Sequence, residues 1–153
     1  TLNVLLGTDD KLNMYMYQAD SLFGKWKLHK KPKIIMGSES RCGGRIFADN
    51  KGLILPIQNS SNGYGFGVSL YRLSFKDGNY KITRENPFFL RKHDNLKEFN
   101  AGMHHFDVQK IGNTYYYVYD GNRLENTEKI WNIKGALKMN YCDFKNWWYQ
   151  NFN

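Results

Sequence analysis

The chain has 153 residues, 22 Lys and Arg against 14 Asp and Glu, and a formal net charge of +8. One domain is the default at this length, and a chain of this size buries about 70% of its unfolded surface, so it needs neither disulfides nor a metal to hold a core. With 41% hydrophobic residues, 11 Tyr, 10 Phe and 4 Trp, the composition excludes the disordered class. The longest apolar runs, such as Leu53 to Ile57, fall far short of the roughly 20 residues of a membrane-spanning helix.

Only Cys42 and Cys142 are present, with no CxxC pair, so two free thiols are expected and neither zinc nor redox chemistry is indicated. No charged segment followed by an apolar one precedes the strand-like Leu2 to Leu6. The absence of a visible signal peptide or membrane span favours a cytoplasmic setting.

Short β-rich runs closed by Gly, Asn, Asp or Pro recur in chain order: Val4 to Leu6, Leu12 to Gln18, Arg45 to Ala48, Gly52 to Ile57, Phe66 to Phe75, Tyr80 to Thr83, Met103 to Gln109 and Thr114 to Tyr119. Asn62-Gly63, Asp77-Gly78, Gly112-Asn113 and Asp120-Gly121 sit between such runs, where hairpin turns need residues that tolerate positive φ. Strands at about ten-residue spacing with turns between them predict an antiparallel all-β fold, as a sandwich, a barrel or the sheets of a propeller. Helix signals are few. Asp94 to Ala101 fits one short helical turn, and Asp143 to Phe152 fits either a terminal helix or an aromatic strand. Between Lys25 and Lys33, five lysines interleave with Trp26 and His29. That pattern suits a strand with a wet face better than a patch for nucleic acid or acidic lipid.

Three stretches could carry chemistry. In Arg41-Cys42-Gly43-Gly44-Arg45 two guanidinium groups flank bare backbone, which suits close approach to an anion or to vicinal hydroxyls, or equally a glycine bulge with solvated arginines. The run from Gln58 through Tyr64 to Gly67 joins amide donors and acceptors to a flat ring, the mixture a sugar requires. It lacks the Lys and Ser or Thr of a phosphate loop. Gly102-Met103-His104-His105 leads towards Asp120-Gly121. Adjacent residues of a regular strand face opposite ways, so one histidine at most would enter a shared site. A His pair at i, i+1 is also a poor metal set. A single imidazole with an acidic partner could serve as a general acid or base. No pair of carboxylates at a glycosidase spacing can be named.

Taken in order, these elements resemble a known family. Asp20-Ser21-Leu22-Phe23-Gly24-Lys25-Trp26-Lys27-Leu28-His29 is similar to the D-S-L-x-G-x-W-x-x-H segment of the family named for the N-terminal domain of glucosamine inositolphosphorylceramide transferase. Arg41 to Phe47, Leu55 to Ser61 with Tyr64-Gly65, Gly102 to His105, and Asp120-Gly121 follow in that family's order. Cys42, Leu55, Asn59, Ser60 and His105 stand where the family pattern has Pro, Arg, Asp, Cys and Thr.

The resemblance implies a five-bladed β-propeller of antiparallel four-stranded blades, similar to the arabinanase, levansucrase and invertase clan, of which this chain would be a partial segment. It also implies a carbohydrate-binding or carbohydrate-processing role in surface-glycan or glycolipid biosynthesis, associated with glycosyl transfer or glycoside processing. A non-catalytic recognition module with a vestigial glycan pocket is the alternative. Arg41, Arg45, Gln58, Tyr64, His104 and Asp120 become substrate-binding candidates, with His104 and Asp120 the candidate catalytic pair. No cofactor or metal is expected. The partners implied are a glycan, a sugar nucleotide or a glycolipid head group. At 40 to 50 residues per blade, residues 1–153 form a single segment of about three blades, completed by a longer chain, by a partner or by a second copy.

Overall fold

The computed structural model describes residues 3–93, 95–123 and 132–152. Ten strands precede one long helix: β1 (Asn3–Thr8), β2 (Asn13–Ala19), β3 (Lys27–Met36), β4 (Arg41–Cys42), β5 (Phe47–Asp49), β6 (Gly52–Asn59), β7 (Gly67–Lys76), β8 (Asn79–Arg91), β9 (Phe106–Ile111), β10 (Thr114–Tyr119) and α1 (Ile133–Phe152). A single 3-10 turn, Lys97–Phe99, lies in the stretch expected to be briefly helical; Asp94 itself is outside the described residues. The strand pairs with assigned register are antiparallel. The all-β expectation therefore holds for residues 3–123, and the C-terminal stretch is a helix rather than an aromatic strand. The chain divides into two compact units, residues 1–41 with 134–153, and residues 42–133.

The first unit contains the sheet β1-β2-β3. Asp9 organises its first hairpin, accepting hydrogen bonds from the backbone of Lys11 and Asn13 at 3.0 and 2.8 Å and from the Tyr15 hydroxyl at 3.1 Å. Leu12 takes the left-handed conformation that closes the turn. Met14, Met16, Ile34 and Ile35 are buried. The basic run became β3 itself, a ten-residue strand that ends in buried Ile34, Ile35 and Met36.

Helix α1 meets β3 through polar side chains. Asn146 Oδ1 accepts from the Met36 amide at 2.9 Å, and Asp143 Oδ1 accepts from the Ser38 amide at 2.7 Å, while Gln150 Nε2 donates to the Ile34 carbonyl. Spaced at i, i+3 and i+7, the three residues share one helix face. They satisfy main-chain groups along a strand edge that would otherwise lack partners.

The second unit is built on the sheet order β4-β6-β7-β8, with β5 also paired to β6. The run Ile54 to Ile57 is buried throughout, so both faces of β6 are covered. Leu55, Ile57, Val68 and Leu73 form the centre of this core, each contributing about 1.5–3 kcal/mol by leaving water. Asp77-Gly78, with φ of 51° and 69°, closes the β7–β8 hairpin as expected, and Gly112-Asn113 closes β9–β10.

Proline lacks the amide that a ladder needs, and β8 carries Pro87 where its register against β7 slips, between Val68↔Leu90 and Leu70↔Asn86. The Pro87 carbonyl accepts from Ser69 Oγ at 2.8 Å and from Asn59 Nδ2 at 2.9 Å. Asn59 is fully buried, and its Oδ1 accepts from the Ser61 amide and hydroxyl at 3.0 and 2.6 Å. This position needs a donor as well as an acceptor, which an aspartate cannot supply. Asn59→Asp is expected to lower stability by about 1–3 kcal/mol, read as a reduced urea midpoint at neutral pH.

On the same sheet Arg72 holds Asp49 with two parallel hydrogen bonds of 2.8 Å and also grips Glu85. Its guanidinium keeps the Asp49 carboxyl well below the ordinary carboxylate range and lowers that of Glu85. The stability linked to these depressed values is present above the unfolded carboxylate range and lost as pH falls through the folded values. Carboxyl NMR titration should therefore show Asp49 ionised in acid where ordinary aspartates are protonated, and Arg72→Met should return its midpoint to the ordinary range.

Candidate functional site

Five of the six candidate residues lie in the second unit, and a continuous run of backbone contacts links the segments that carry them. The Gly43 amide donates to the Pro56 carbonyl at 2.9 Å, and the Gly43 carbonyl accepts from the Phe106 amide at 2.7 Å. A Cβ at Gly44 would overlap the Phe106 carbonyl, and one at Gly43 would come within 2.9 Å of the Gln58 amide. The glycine pair therefore serves close main-chain packing, with the backbones of β6 and β9 near on either side.

A second close approach lies further along. The Met103 amide donates to the Gly65 carbonyl at 2.7 Å, and a side chain at Gly102 would collide with that same carbonyl. Asn122 bridges Gly102 from the other side, through its own amide at 2.9 Å.

These contacts hold Ala101 to His105 outside any strand, because β9 begins only at Phe106. The expected strand from Met103 is thus a pinned loop, and the strict in-out alternation of its two histidines does not apply. Asp120 completes the loop: its Oδ1 accepts from the His104 and His105 amides at 2.9 and 2.8 Å. Its Oδ2 lies against His104 Nδ1 without the alignment of a regular hydrogen bond. Asp120-Gly121 is accordingly no hairpin turn. It follows β10 and anchors the histidine loop.

His104 is half-buried, and its ring centroid lies 5.5 Å from that of Tyr64. Tyr64 is 67% exposed, which leaves most of its ring open to a ligand. His105 points to solvent.

Arg45 is exposed and donates from Nε to Asp107 Oδ1 at 3.1 Å. Asp107 is the residue that sequence reasoning missed. The signal was an acid two positions beyond a histidine pair, at the head of a strand. Gln58 donates from Nε2 to the Cys42 carbonyl at 3.1 Å, while its Oε1 is buried and makes no hydrogen bond. It braces the glycine segment. Arg41 ends the first unit with an exposed side chain. Burial pushes the Cys42 thiol up, away from thiolate chemistry. Among the described residues no cluster of three His, Cys, Asp or Glu could hold a metal ion.

Residues 3–122 match the family described as glucosamine inositolphosphorylceramide transferase 1, N-terminal. The chain belongs to that family. Two relatives, both named glucosamine inositolphosphorylceramide transferase 1, come from Oryza sativa subsp. japonica and subsp. indica, and each is 31% identical over 130 residues. The match covers 77% of this chain and 17% of each rice protein, so the chain spans about a sixth of their length. No solved structure matches.

Leu55 and Asn59 of β6 are both fully buried and take no part in the exposed site. The polar side chains gathered around the histidine loop are His104 and Asp120, with the Arg45–Asp107 pair on the neighbouring segments. The close approach of Asp120 Oδ2 to Nδ1 leaves Nε2 as the ring nitrogen not engaged by Asp120.

The two amides that Asp120 holds give a direct check on its role. In Asp120→Ala, hydrogen exchange at the His104 and His105 amides should accelerate about tenfold or more, as expected for lost hydrogen bonds to a charged group. Asp120→Asn keeps an acceptor and should retain most of the protection.

Proposed function

We propose that this chain is a carbohydrate-binding segment of a propeller-type protein in glycolipid or surface-glycan biosynthesis, taking a glycan, a sugar nucleotide or a glycolipid head group. Family membership supports the glycolipid setting. Three successive antiparallel sheets, of three, five and two strands, support a segment built of blade-like sheets. The observation that carries the binding assignment is the grouping of Tyr64, His104 and Asp120 on loops pinned by close glycine contacts.

In this reading Tyr64 stacks on the apolar face of a sugar ring. His104, oriented by Asp120, accepts a hydroxyl proton through Nε2. Arg45 offers its guanidinium to a phosphate or carboxylate at the cost of its exposed pairing with Asp107, which is worth about 0–1 kcal/mol. Gln58 positions the glycine backbone that carries Arg45.

A recognition module without turnover is the second reading. The observation that favours it is the burial of Leu55 and Asn59 in packing and hydrogen bonding, where the family pattern has charged groups.

Calorimetric titration with a panel of sugar nucleotides and acidic glycosides tests the proposal. Tyr64→Ala and His104→Ala should each weaken binding by roughly tenfold, about 1.4 kcal/mol, with an unchanged circular dichroism spectrum. Undiminished affinity in both variants would remove the assignment. Binding with no product in a discontinuous assay would select the recognition reading.

A further inference from the structure

Helix α1 lies beyond residues 3–122, the part of the chain that the family covers. Its sequence divides into three stripes. Asp143, Asn146 and Gln150 face β3 and are committed to its backbone. Away from them, Ile133, Leu137, Tyr141, Phe144, Trp148 and Phe152, spaced at four, four, three, four and four residues, form a continuous apolar stripe. Each is more than half exposed. Lys134, Lys138 and Lys145, four and seven residues apart, form a cationic stripe along one flank of the aromatic one.

Strand β3 extends that cationic flank. Lys31 sits 5.7 Å above the Tyr149 ring, and Lys33 and Lys145 line a cleft of about 480 Å³ with Tyr141, Phe144 and Trp148.

Because the polar face is tied to the strand edge, the helix cannot roll its aromatics inward without leaving several buried main-chain groups unpartnered. Something outside the unit must cover them, and charge selects what. Residues 1–41 and 134–153 hold ten Lys and Arg against five Asp and Glu. The helix's sole acid, Asp143, is already bonded to Ser38. A second copy would bring a like-charged surface against this one. An anionic lipid surface would meet the lysines with opposite charge and take Trp and Tyr at the headgroup level, where their amphipathic rings are favoured.

We propose that α1, with the lysines of β3, docks the chain flat on an anionic lipid bilayer, the aromatic stripe entering the headgroup boundary and the lysine stripe pairing with lipid phosphates and carboxylates. The helix does not cross. With three lysines in 20 residues, it is not apolar enough to span. This docking is independent of the sugar site.

Flotation of the 153-residue chain with phosphatidylcholine vesicles, with and without phosphatidylserine, tests the proposal. The chain should float with the phosphatidylserine vesicles, and binding should fall steeply with added salt. Lys134→Gln, Lys138→Gln and Lys145→Gln should each weaken it by about fivefold. Trp148→Ser combined with Phe152→Ser should abolish it while helicity by circular dichroism is kept. Equal flotation with neutral vesicles, flotation unaffected by these variants, or a stable dimer that does not float would each overturn the proposal.

Discussion

The second unit depends on main-chain atoms approaching each other where no side chain can fit. Gly43 and Gly44 let the backbone between Cys42 and Arg45 thread past Gln58 on one side and the Phe106 carbonyl on the other. Gly102 and Gly65 repeat the device a few residues from the histidines. Arg45, Tyr64 and His104 are surface side chains on irregular segments, and such segments acquire a fixed geometry only when their backbone groups are bonded on both flanks. The glycines supply that without any contribution from a ligand. The site is thus prepared by the scaffold and not by the groups that would touch a sugar.

Much of this was legible in advance because hairpins advertise themselves locally. Asp77-Gly78 and Gly112-Asn113 carry the backbone preference that closes a two-residue loop, and the strands on either side of each pair antiparallel as expected. The histidine loop was misread as strand for a tertiary reason. The bonds that hold it come from Gly65, Asp120 and Asn122, all distant in the chain, and β-like composition could not reveal them. The pairing of Arg45 with Asp107 is likewise hidden in the sequence, since nothing around Arg45 points to an acid 62 positions away.

Helix α1 was half-concealed for a different reason. Its aromatics point outward and the side that meets β3 carries Asp, Asn and Gln, the reverse of the pattern that marks a core-facing helix. The resemblance brought the site segments into one view, yet it could not say why position 59 carries Asn. The structure supplies the reason: a bulge at Pro87 turns a carbonyl towards position 59 and asks for a donor. Leu55, likewise, is wholly enclosed where a charge would be costly.

The cap on β3 has an evolutionary consequence. A neighbouring strand protects an edge with its own main chain, which any sequence provides, so that protection survives almost every substitution. Here the guard consists of individual carboxylate and amide side chains, each of which one nucleotide change can delete. Drift at Asp143, Asn146 or Gln150 would uncover a ready template for cross-chain ladder growth, while every sheet in the molecule stayed intact. Selection against aggregation therefore falls on a helix that no strand pairing would identify as critical.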